Sequence, residues 1–531
     1  MIPSSCDVAV VGYGPVGQAI AALLGRAGHR VGVFETFAEI YPLPRAVHFD
    51  HEIMRICQAL GVAQEIGEDL TPLEEYHWFG ADGEPIFTMR APNPSISGWD
   101  PDYMFFQPRL EAALDRAARA IESVEVHRGF TVEALVEQQD GVELTLRRVT
   151  EPQPGRVIDS DETQTVRARY VIGADGANSF VREAMGIERR DLGFQERWLV
   201  VDVRPNDMAA LAHLPIACQW CDPRRPTTHV HNGRRHRRWE FMLLPGEQAS
   251  DFDDEGRLWE LLAPFMTRQD GEIVRHAVYE FRSLLADRMR DGHVLLVGDA
   301  AHLTPPFMGQ GLCAGLRDAA NVAWKLDLVL RGLASDSLLD TIDSERQPQN
   351  EWIIALAVEM GRVSCVLDAG AAAERDAGLR AAGSPPPLQF APLGAGALRD
   401  SGGELAPLAG TLSVQGRVAG PRGEGLFDDV VGRGFVLVCA DGDPYAQLSA
   451  DQVATLELLD ATVVSLDPSA ACAVRDLDGR LTAWLSESDA AAVLVRPDFY
   501  VFGAASSAED LPALFDQLRV RLALRHPSTT P

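Results

Sequence analysis

The chain has 531 residues and a formal net charge of −29. This length exceeds the size at which one hydrophobic core stops growing, so two or three domains are expected. The acidic balance argues against nucleic acid and against an anionic membrane surface as partners, because both bind an excess of Lys and Arg. The opening residues do not resemble a signal peptide and no run of about 18 apolar residues occurs, so no membrane span is expected.

The first predicted element is a nucleotide-binding turn. Residues 8–11 read as an apolar strand, and a Gly-x-Gly-x-x-Gly turn and a helix follow it. Gly12 would make the tight turn, Gly14 would let the backbone meet a pyrophosphate, and Gly17 would let helix and strand pack closely. The next strand ends in Glu35, at the spacing where an acidic residue binds ribose hydroxyls. The pattern predicts dinucleotide binding by Gly12, Gly14, Pro15, Val16, Gly17 and Glu35.

Residues 41–52 bring several titratable side chains together ahead of a helix predicted from about Ile53 to Leu60. They include His48, Asp50 and His51. Each of these groups has two interpretations: it acts on a substrate proton, or it is an ordinary surface or capping group. The sequence leaves both interpretations open.

The middle of the chain is rich in predicted strands. Residues 76–87 read as a hairpin with an Asp-Gly turn. Residues 126–148 and 166–171 alternate as strands do, and a polar insert at 151–162 separates them. A further strand ends at Asp175, which a glycine turn and a helix follow, and this pattern is typical of a ligand-binding edge of an α/β sheet.

Residues 192–280 are also strand-rich and suit a substrate domain. A hairpin there rises to the arginine-rich stretch 234–238, which the composition predicts to be a solvated tip; the alternative is that these arginines draw in anionic substrates or nicotinamide phosphates. Cys218 and Cys221 have the spacing of a redox or zinc pair. No second pair completes a four-ligand site, so they are predicted to be structural. All eight cysteines are scattered without a disulfide framework, which predicts a reducing, cytoplasmic location.

A second ligand-binding edge is predicted near residue 299. The apolar run 294–297 reads as a buried strand that stops at Gly298-Asp299. Pro305-Pro306 forbids regular structure, and a helix is then predicted from Cys313 to Leu326, with its amino terminus directed at whatever Asp299 holds. Farther on, a long helix is predicted to end near Cys365. Four strands and a closing helix at about 509–522 follow a segment rich in Ala, Gly and Pro.

Three strings resemble motifs of the group A aromatic hydroxylases, which are single-component FAD monooxygenases. DGANSFVR at 175–182 resembles the family's middle motif, which serves both FAD and the passage of NAD(P)H. GDAAHLTPPFMGQGLCAG at 298–315 resembles its second flavin motif. RRWEFMLLPGE at 237–247 is similar to the branch that contains the 3-(3-hydroxyphenyl)propionate hydroxylases.

The resemblance implies an α/β fold in three parts. A Rossmann-type FAD-binding domain would comprise residues 1–75, 100–190 and 275–365, and a strand-rich substrate-binding domain would comprise 76–99 and 191–274. A linker at 366–410 would lead to a thioredoxin-like C-terminal domain at 411–531. Cys439 of that domain has no CxxC partner, which predicts a structural role.

The resemblance also implies the residues of the site. Beyond the turn at 12–17 and Glu35, FAD would be bound by Arg45, Gln107, Asp175, Asp299, Pro306, Gly309, Gln310, Gly311 and Leu312. The substrate pocket would be lined by Trp239, Phe241, Phe307 and Met308. The strand 239–244 is expected to face the loop 306–309 across the flavin ring. His48 and Asp50 are the candidate catalytic residues, and no metal is expected.

The implied reaction is the hydroxylation of a phenolic substrate. NAD(P)H would reduce FAD, and the reduced flavin would react with O₂ to form a C4a-hydroperoxide that delivers oxygen to the ring. A polyketide-type tailoring hydroxylase is the alternative within the family. A halogenase, a non-hydroxylating flavoprotein reductase or a flavin protein kept for interaction are the alternatives outside it. The expected partners are a small aromatic molecule and O₂, and the chain is a candidate homodimer.

Overall fold

The computed structural model describes residues 2–153 and 156–525. Part of the predicted polar insert at 151–162 lies outside the described residues, as does the end of the predicted C-terminal domain after residue 525. Around that gap the chain forms two long paired strands, so most of the insert continues the sheet on either side of it. Within the described part of the chain, no helix is long and apolar enough to cross a membrane.

Strands and helices alternate through much of the chain. The strands are β1 (Ser5–Val11), β2 (Val31–Glu35), β3 (His48–Asp50), β4 (Thr71–Leu73), β5 (Glu75–Phe79), β6 (Pro85–Arg90), β7 (Asp102–Met104), β8 (Val124–Arg128), β9 (Phe130–Gln138), β10 (Gly141–Gln153), β11 (Arg156–Gly173), β12 (Arg189–Pro205), β13 (Ala217–Trp220), β14 (Thr227–Asn232), β15 (His236–Met242), β16 (Gly271–Ala286), β17 (Arg290–Asp291), β18 (Val294–Leu296), β19 (His302–Leu303), β20 (Asp400–Ser401), β21 (Glu404–Leu405), β22 (Arg417–Gly420), β23 (Gly423–Leu426), β24 (Val436–Cys439), β25 (Thr462–Ser465), β26 (Arg475–Asp476), β27 (Ala492–Val495) and β28 (Val501–Ala505). The helices are α1 (Pro15–Arg26), α2 (His51–Ala59), α3 (Ala63–Gly67), α4 (Gln107–Arg119), α5 (Phe180–Ala184), α6 (Glu255–Leu262), α7 (Gly311–Leu330), α8 (Thr341–Ser364), α9 (Ala369–Ala382), α10 (Phe427–Val430), α11 (Ala450–Leu458), α12 (Arg480–Glu487) and α13 (Leu511–Arg521).

The first sheet has eight strands and forms the amino-terminal core. β1 lies between β2 and β11 and pairs with both in parallel, while β8 and β18 extend the parallel set on either side. Val8 and Val10 are fully buried, because helices cover the sheet and a parallel strand must be apolar on both faces. The carboxyl ends of β1, β11 and β18 therefore lie side by side at one edge, where open α/β sheets bind ligands.

The second sheet also has eight strands, in the order β19-β16-β12-β15-β14-β13-β5-β6. Residues 76–99 contribute most of β5 and all of β6, and residues 191–274 contribute the central strands. On the outer face, α6 packs through Leu258, Trp259 and Leu262 against Trp239 and Phe241 of β15. The inner face is directed towards the ligand-binding edge of the first sheet.

The C-terminal domain contains a four-stranded sheet in the order β25-β24-β27-β28. β24 pairs with β25 in parallel and with β27 antiparallel, and β27 pairs antiparallel with β28. This strand order is that of a thioredoxin-like domain. Cys439 ends β24 and is buried as a free thiol. The predicted α/β fold, with a strand-rich domain and a thioredoxin-like tail, is confirmed.

Buried ion pairs join the C-terminal domain to the FAD-binding domain. Glu345 of α8 contacts Lys325 of α7 at 2.8 Å and Arg496, which follows β27, at 2.9 Å. All three side chains are fully buried. Arg55 of α2 contacts Asp428 of α10 at 2.7 Å, also with both side chains buried. The two domains therefore share a polar core and pack as one body.

The prediction of a linker at 366–410 is wrong for its first half. Residues 369–382 form α9, whose Ala-rich sequence favours a helix and whose N-cap, Asp368, accepts a hydrogen bond from the Ala371 amide at 2.8 Å. Arg380 anchors α9 to the second sheet through the Pro85 carbonyl at 3.0 Å. Averaging Gly and Pro over the whole segment hid this helix.

Candidate active site

One cavity of about 970 Å³ opens at the carboxyl edge of the first sheet and extends along the inner face of the second. Gly14, Pro15 and Val16 line one end, and Val200 and Phe281 of the second sheet line the other. Residues 386–392, which follow α9, also contribute to its wall. The cavity thus lies between the two large sheets and next to the C-terminal domain.

The glycine turn leaves the first amides of α1 open to the cavity. Gly12 has φ +94°, and a Cβ atom there would lie 2.5 Å from the carbonyl oxygen of Ala174. Gly17 packs against the backbone of Gly12, while a Cβ atom on Gly14 would meet only the Arg45 guanidinium, at 3.9 Å. No side chain caps α1, and Pro15 occupies its first turn. Uncapped N–H groups at a helix start are suited to a pyrophosphate.

Glu35 is the residue predicted to bind the hydroxyls of a ribose. It ends β2, and its Oε2 accepts a hydrogen bond from the Tyr13 amide at 2.7 Å while Oε1 accepts one from the Phe37 amide at 2.8 Å. These bonds fix the carboxylate beside the glycine turn. Each carboxylate oxygen can accept a second hydrogen bond, so lone pairs stay available for a sugar.

Asp299 is a cavity carboxylate without a hydrogen-bond donor among the described residues. It follows β18 in a 3₁₀ turn and lines the cavity. Within the described residues its side chain accepts no hydrogen bond. The Asp299 side chain is exposed within the cavity, yet desolvation by the surrounding protein raises its pKa, and the charges of His302 and Arg45 offset this in part. An unfilled carboxylate at the floor of a cavity fits a polyhydroxylated ligand such as the ribityl chain of FAD.

The loop after Asp299 presents a second helix start to the cavity. Pro306 begins a 3₁₀ turn that ends at Gly309, whose φ of +62° lies in the left-handed region. α7 then begins at Gly311 without a side-chain cap, since Gln310 instead accepts a hydrogen bond from Arg317 at 3.0 Å. The amides of Gly311 and Leu312 therefore face the cavity and can donate to an electron-rich ring edge.

Arg45 and Gln107 lie together, and both line the cavity. Gln107 Oε1 accepts hydrogen bonds from the amides of Arg45 and Ala46, at 3.0 and 2.7 Å, and its Nε2 donates to Glu111 at 2.6 Å. Its side chain therefore secures the segment that carries Arg45. The Arg45 guanidinium lies beside Gly14, where the pyrophosphate is expected.

The Asp175 side chain does not line the cavity. It accepts hydrogen bonds from the Ser179 hydroxyl at 2.5 Å and from the Val181 amide at 3.0 Å, so it stabilises the start of α5. The cavity wall here is formed by the neighbours of Asp175, namely Ala174, Gly176 and Ala177. The Asp175 carboxylate is bound within its own turn, so the predicted cofactor binding at this position would fall to the backbone of its neighbours.

His48 lines the cavity, yet both of its ring nitrogens are engaged. Nε2 lies 2.9 Å from Asp102 Oδ1, and Nδ1 lies 3.3 Å from the carbonyl oxygen of Gly309. Burial lowers the pKa of His48, but the hydrogen bond and charge of Asp102 outweigh it, so the pKa lies above its ordinary value. Two acceptors suit an imidazolium that donates through both nitrogens. Through its contact with the Gly309 carbonyl, His48 holds the Gly309 loop in place.

Both carboxylate oxygens of Asp50 are bound by other groups of the protein. Its Oδ1 caps α2 by accepting hydrogen bonds from the amides of Glu52 and Ile53, at 3.1 and 3.3 Å. Its Oδ2 lies 2.6 Å from Arg317. Burial opposes ionisation, but Arg317 and His51 outweigh it and hold the pKa of Asp50 well below its usual range. Asp50 is therefore a buried capping group, and the prediction of a catalytic role for it is corrected.

Trp239 and Phe241 point away from the cavity, so their predicted place in the pocket is wrong. Successive side chains of a strand point to opposite faces, and both aromatic rings belong to the outer cluster with α6. Arg238 and Glu240, on the other face of β15, line the cavity instead. Phe307 and Met308 do line it, and the Phe307 ring packs edge-on against Trp198 with centroids 5.6 Å apart.

Arg238 contradicts the prediction of a solvated arginine-rich tip. Only Arg234 and Arg235 are exposed there, while Arg238 is buried. Its Nε donates to Asp202 Oδ1 at 2.8 Å, and Nη1 and Nη2 donate to the carbonyls of Arg45 and Pro44 at 2.6 and 2.7 Å. β15 thereby holds the segment that carries Arg45.

Glu240 is a charged cavity residue that reasoning from the sequence missed. Its side chain lies on the inner face of β15, and the nearest cation is Arg238 Nη1 at 3.8 Å. Burial raises the pKa of Glu240, and the charge of Arg238 offsets this in part. The alternation of WEF at 239–241 contained the signal, because the two aromatic residues share one face and Glu240 must lie on the other.

Comparison with known proteins decides the family. Residues 5–357 match the family described as the FAD binding domain, and residues 410–521 match the HcaD C-terminal domain. A probable NADH-specific resorcinol 4-hydroxylase of Rhodococcus jostii is 40% identical over 97% of this chain and 95% of that protein. The chain belongs to the FAD-dependent aromatic hydroxylases. This hydroxylase is thus a flavoprotein monooxygenase with FAD as its cofactor and NAD(P)H as its reductant.

Other relatives agree with this assignment. A 3-(3-hydroxy-phenyl)propionate/3-hydroxycinnamic acid hydroxylase of Mycolicibacterium smegmatis is 32% identical to this chain, over 100% of this chain and 96% of the relative. The flavin-dependent monooxygenase PieE, solved with FAD and substrate, superposes with a TM-score of 0.80 over 98% and 99% of the two chains at 22% identity. Aklavinone-11 hydroxylase, solved with FAD and aklavinone, superposes with a TM-score of 0.75 over 98% of this chain and 100% of that chain, at 24% identity. These two structures establish the shared fold.

Proposed function

We propose that this hydroxylase oxidises a small, uncharged dihydroxybenzene of the resorcinol type, with NADH as electron donor and O₂ as oxygen donor. The observation that carries the proposal is the charge of the cavity next to the second sheet. Two charged side chains of β15 line it: Arg238, which is bound to Asp202 and to backbone carbonyls, and Glu240, whose carboxylate accepts no hydrogen bond within the described residues. An acidic group in a largely apolar cavity disfavours a carboxylate-bearing phenol and tolerates a neutral ring.

The arginines that line the cavity are committed elsewhere. Arg238 is held by Asp202 and by two backbone carbonyls. Arg90 is paired with Glu75 at 2.7 Å and is largely exposed. Arg45 lies beside Gly14 at the opposite end of the cavity. None of these three is placed as a counter-ion for a substrate carboxylate. The 40% identity to a relative named as NADH-specific and acting on resorcinol supports the same choice.

We assign the cofactor to the chain's own groups as follows. Gly14, Pro15 and Val16 would hold the pyrophosphate together with Arg45, and Glu35 would hold the ribose. Asp299 would hold the ribityl chain, and the loop from Pro306 to Leu312 would hold the ring system. When bound, FAD accepts electrons from NADH and activates O₂. The fit is supported by the unpartnered Asp299 carboxylate and by the uncapped starts of α1 and α7.

The second sheet and the Phe307 loop have the task of excluding water from the reacting ring. Val200 and Phe281 offer apolar surface from the sheet, and Phe307 and Met308 offer it from the loop. Each Å² of apolar surface that a bound ring buries contributes about 25 cal/mol. Apolar contacts supply most of the binding, and a few polar groups set the orientation of the ring.

The test is a screen of the FAD-loaded protein for substrate-stimulated NADH oxidation coupled to O₂ uptake. Resorcinol, phenol, 3-hydroxybenzoate and 3-(3-hydroxyphenyl)propionate are compared, with product analysis for each. We expect the largest kcat/KM with resorcinol and a hydroxylated product. A preference for either carboxylate-bearing phenol would contradict the proposal, and NADH oxidation without an oxygenated product would indicate a reductase.

We also propose a cytoplasmic location, because all eight cysteines are free thiols and most of them are buried. A homodimer stays a separate proposal. Light scattering coupled to size-exclusion chromatography tests it directly, since a dimer has twice the 57.8 kDa mass of the chain.

A further inference from the structure

Glu240 projects from the middle of the second sheet into the cavity. β15 pairs at this position with Val200 of β12 and with Thr228 of β14. The side chains of all three residues line the cavity, as expected for neighbours on one face of a sheet. The residue is only 9% exposed, and that exposure is to the cavity.

No protein group satisfies the Glu240 carboxylate. Within the described residues it accepts no hydrogen bond, and Arg238 Nη1 approaches Oε1 only to 3.8 Å. Arg238 cannot turn to it, because its guanidinium donates to Asp202 and to the carbonyls of Pro44 and Arg45. The carboxylate is therefore attracted by a fixed charge but lacks a donor.

The neighbours of Glu240 across the sheet do not supply a donor either. The Thr228 hydroxyl donates to Gln219 Oε1 at 2.5 Å, and Val200 is apolar. Burying a carboxylate without a hydrogen bond is costly. A molecule that enters the cavity and brings an O–H or N–H group to Glu240 relieves this cost.

We propose that Glu240 is a specificity-determining residue of the substrate site, and that its carboxylate accepts a hydrogen bond from a ring hydroxyl of the substrate. This inference rests on the proposed function, because a dihydroxybenzene has one hydroxyl to activate the ring and a second to bind Glu240. A ring that carries a carboxylate at that position would place two negative charges together. Burial already raises the pKa of Glu240, and a hydroxyl donor favours its charged form again.

The first test uses the wild-type holoenzyme and needs no substitution. Dissociation constants are measured from the change in flavin absorbance for resorcinol, 3-methoxyphenol and 1,3-dimethoxybenzene, which lose their O–H donors one at a time. Loss of a hydrogen bond to a charged acceptor predicts a weakening of about 10- to 100-fold across the series. Equal dissociation constants for the three ligands would overturn the proposal.

Two variants separate the hydrogen bond from the steric effect of the added methyl groups. Glu240→Leu removes the acceptor, and we expect it to bind resorcinol about 10- to 100-fold more weakly and to lose the preference over 1,3-dimethoxybenzene. Glu240→Gln keeps an acceptor oxygen without the charge. Its dissociation constant for resorcinol should therefore lie between those of the wild type and Glu240→Leu. Glu280→Gln, on an exposed position of β16 in the same sheet, is the matched control and should bind resorcinol as the wild type does.

The outcomes distinguish this inference from the proposed function. If the wild type hydroxylates resorcinol and Glu240→Leu binds it equally tightly, the role of Glu240 is refuted while the proposed function stands. If no phenol binds to the wild type or stimulates NADH oxidation, the proposed function itself is refuted. Should the leucine variant not fold, the ligand series and the glutamine variant decide the question.

Discussion

Replacing Glu345 by Gln tests whether the C-terminal domain is an integral part of the fold. The Glu345 carboxylate lies 2.8 Å from Lys325 Nζ and 2.9 Å from Arg496, and it also accepts hydrogen bonds from Asn321 and from the Ala397 amide at 2.9 and 2.6 Å. The side chain is fully buried. Glutamine keeps the size of the side chain but removes the charge, so Lys325 loses its ion-pair partner, whereas Arg496 keeps Asp498 as a counter-ion.

The expected loss is about 3–5 kcal/mol, the usual cost of removing one partner from a buried ion pair. The lowered pKa of Glu345 leads to a similar loss in the free energy of unfolding. Burial raises this pKa, but Arg496 and Lys325 outweigh burial and hold it at about 2, against an ordinary 4.5. At about 1.4 kcal/mol per pKa unit, this shift is worth roughly 3 kcal/mol.

The sign of the pH dependence follows from the lowered pKa. Because the folded state holds the proton less tightly, the stabilisation is complete above the ordinary pKa of 4.5 and is lost as the pH falls towards about 2. The difference between wild type and Glu345→Gln should therefore be largest near neutral pH and should shrink in acid. Glutamine has no charge to lose, so the variant lacks this contribution at every pH.

The assay is guanidinium unfolding followed by tryptophan fluorescence and by FAD release. Trp324 donates to Asp498 at 3.0 Å within the same buried network, so the fluorescence includes a probe at the perturbed site. Glu404→Gln, at an exposed position of β21, is the control and should leave the midpoint unchanged. A loss below about 1 kcal/mol, the range of an exposed pair, would refute the view that this network joins the two domains.

Three further predictions concern single side chains. His48→Asn should raise the share of NADH lost to hydrogen peroxide while FAD stays bound, because the Gly309 loop loses its contact with His48; unchanged coupling would refute that role. Glu35→Ala should weaken FAD binding about 10-fold or more, the effect of losing a hydrogen bond to a charged group, as measured by equilibrium dialysis. Cys439→Ser should leave kcat unchanged in a steady-state assay, because the thiol is buried and burial raises its pKa to about 12; a large loss of kcat in folded protein would show a redox role.

The features that the sequence predicted well are those that lie within one short segment. The Gly12 turn, the first turn of α1 and the end of β2 at Glu35 lie within some two dozen residues, so their geometry follows from local backbone rules. The same holds for Asp299 and the start of α7. In each case the residue type and the spacing are sufficient, and no distant partner changes the outcome.

The errors occur where a distant partner decides the role of a side chain. Arg238 looked solvated, but its acceptors lie 36 and more than 190 residues away in the chain. Asp50 looked available for catalysis, but Arg317 reaches it from α7. His48 looked like a base, and the Gly309 carbonyl that engages its Nδ1 lies 261 residues away. Spacing along the sequence contains no information about such pairs.

The error at Trp239 has a different origin, because both faces of β15 are buried. Where one face of a strand meets solvent, polarity identifies the inner face. Here α6 covers the outer face with its own apolar residues, so the aromatic side chains belong to the core between sheet and helix. The polar residues of the strand then lie inside, facing a ligand. In a sheet covered on both sides, the polar positions are therefore the better guide to the binding face.

The two faces of β15 have separate tasks in this hydroxylase. Trp239 and Phe241 stabilise the packing of α6, whereas Arg238 holds the segment that carries Arg45 beside the FAD-binding turn, and Glu240 faces the proposed substrate site. Substitutions at the outward positions should therefore change stability before specificity. Among the described residues no side chain donates a hydrogen bond to Glu240, and Arg238 approaches it only to 3.8 Å, so Glu240 can change without loss of the cofactor segment. One strand thus lets specificity vary while the FAD site is kept.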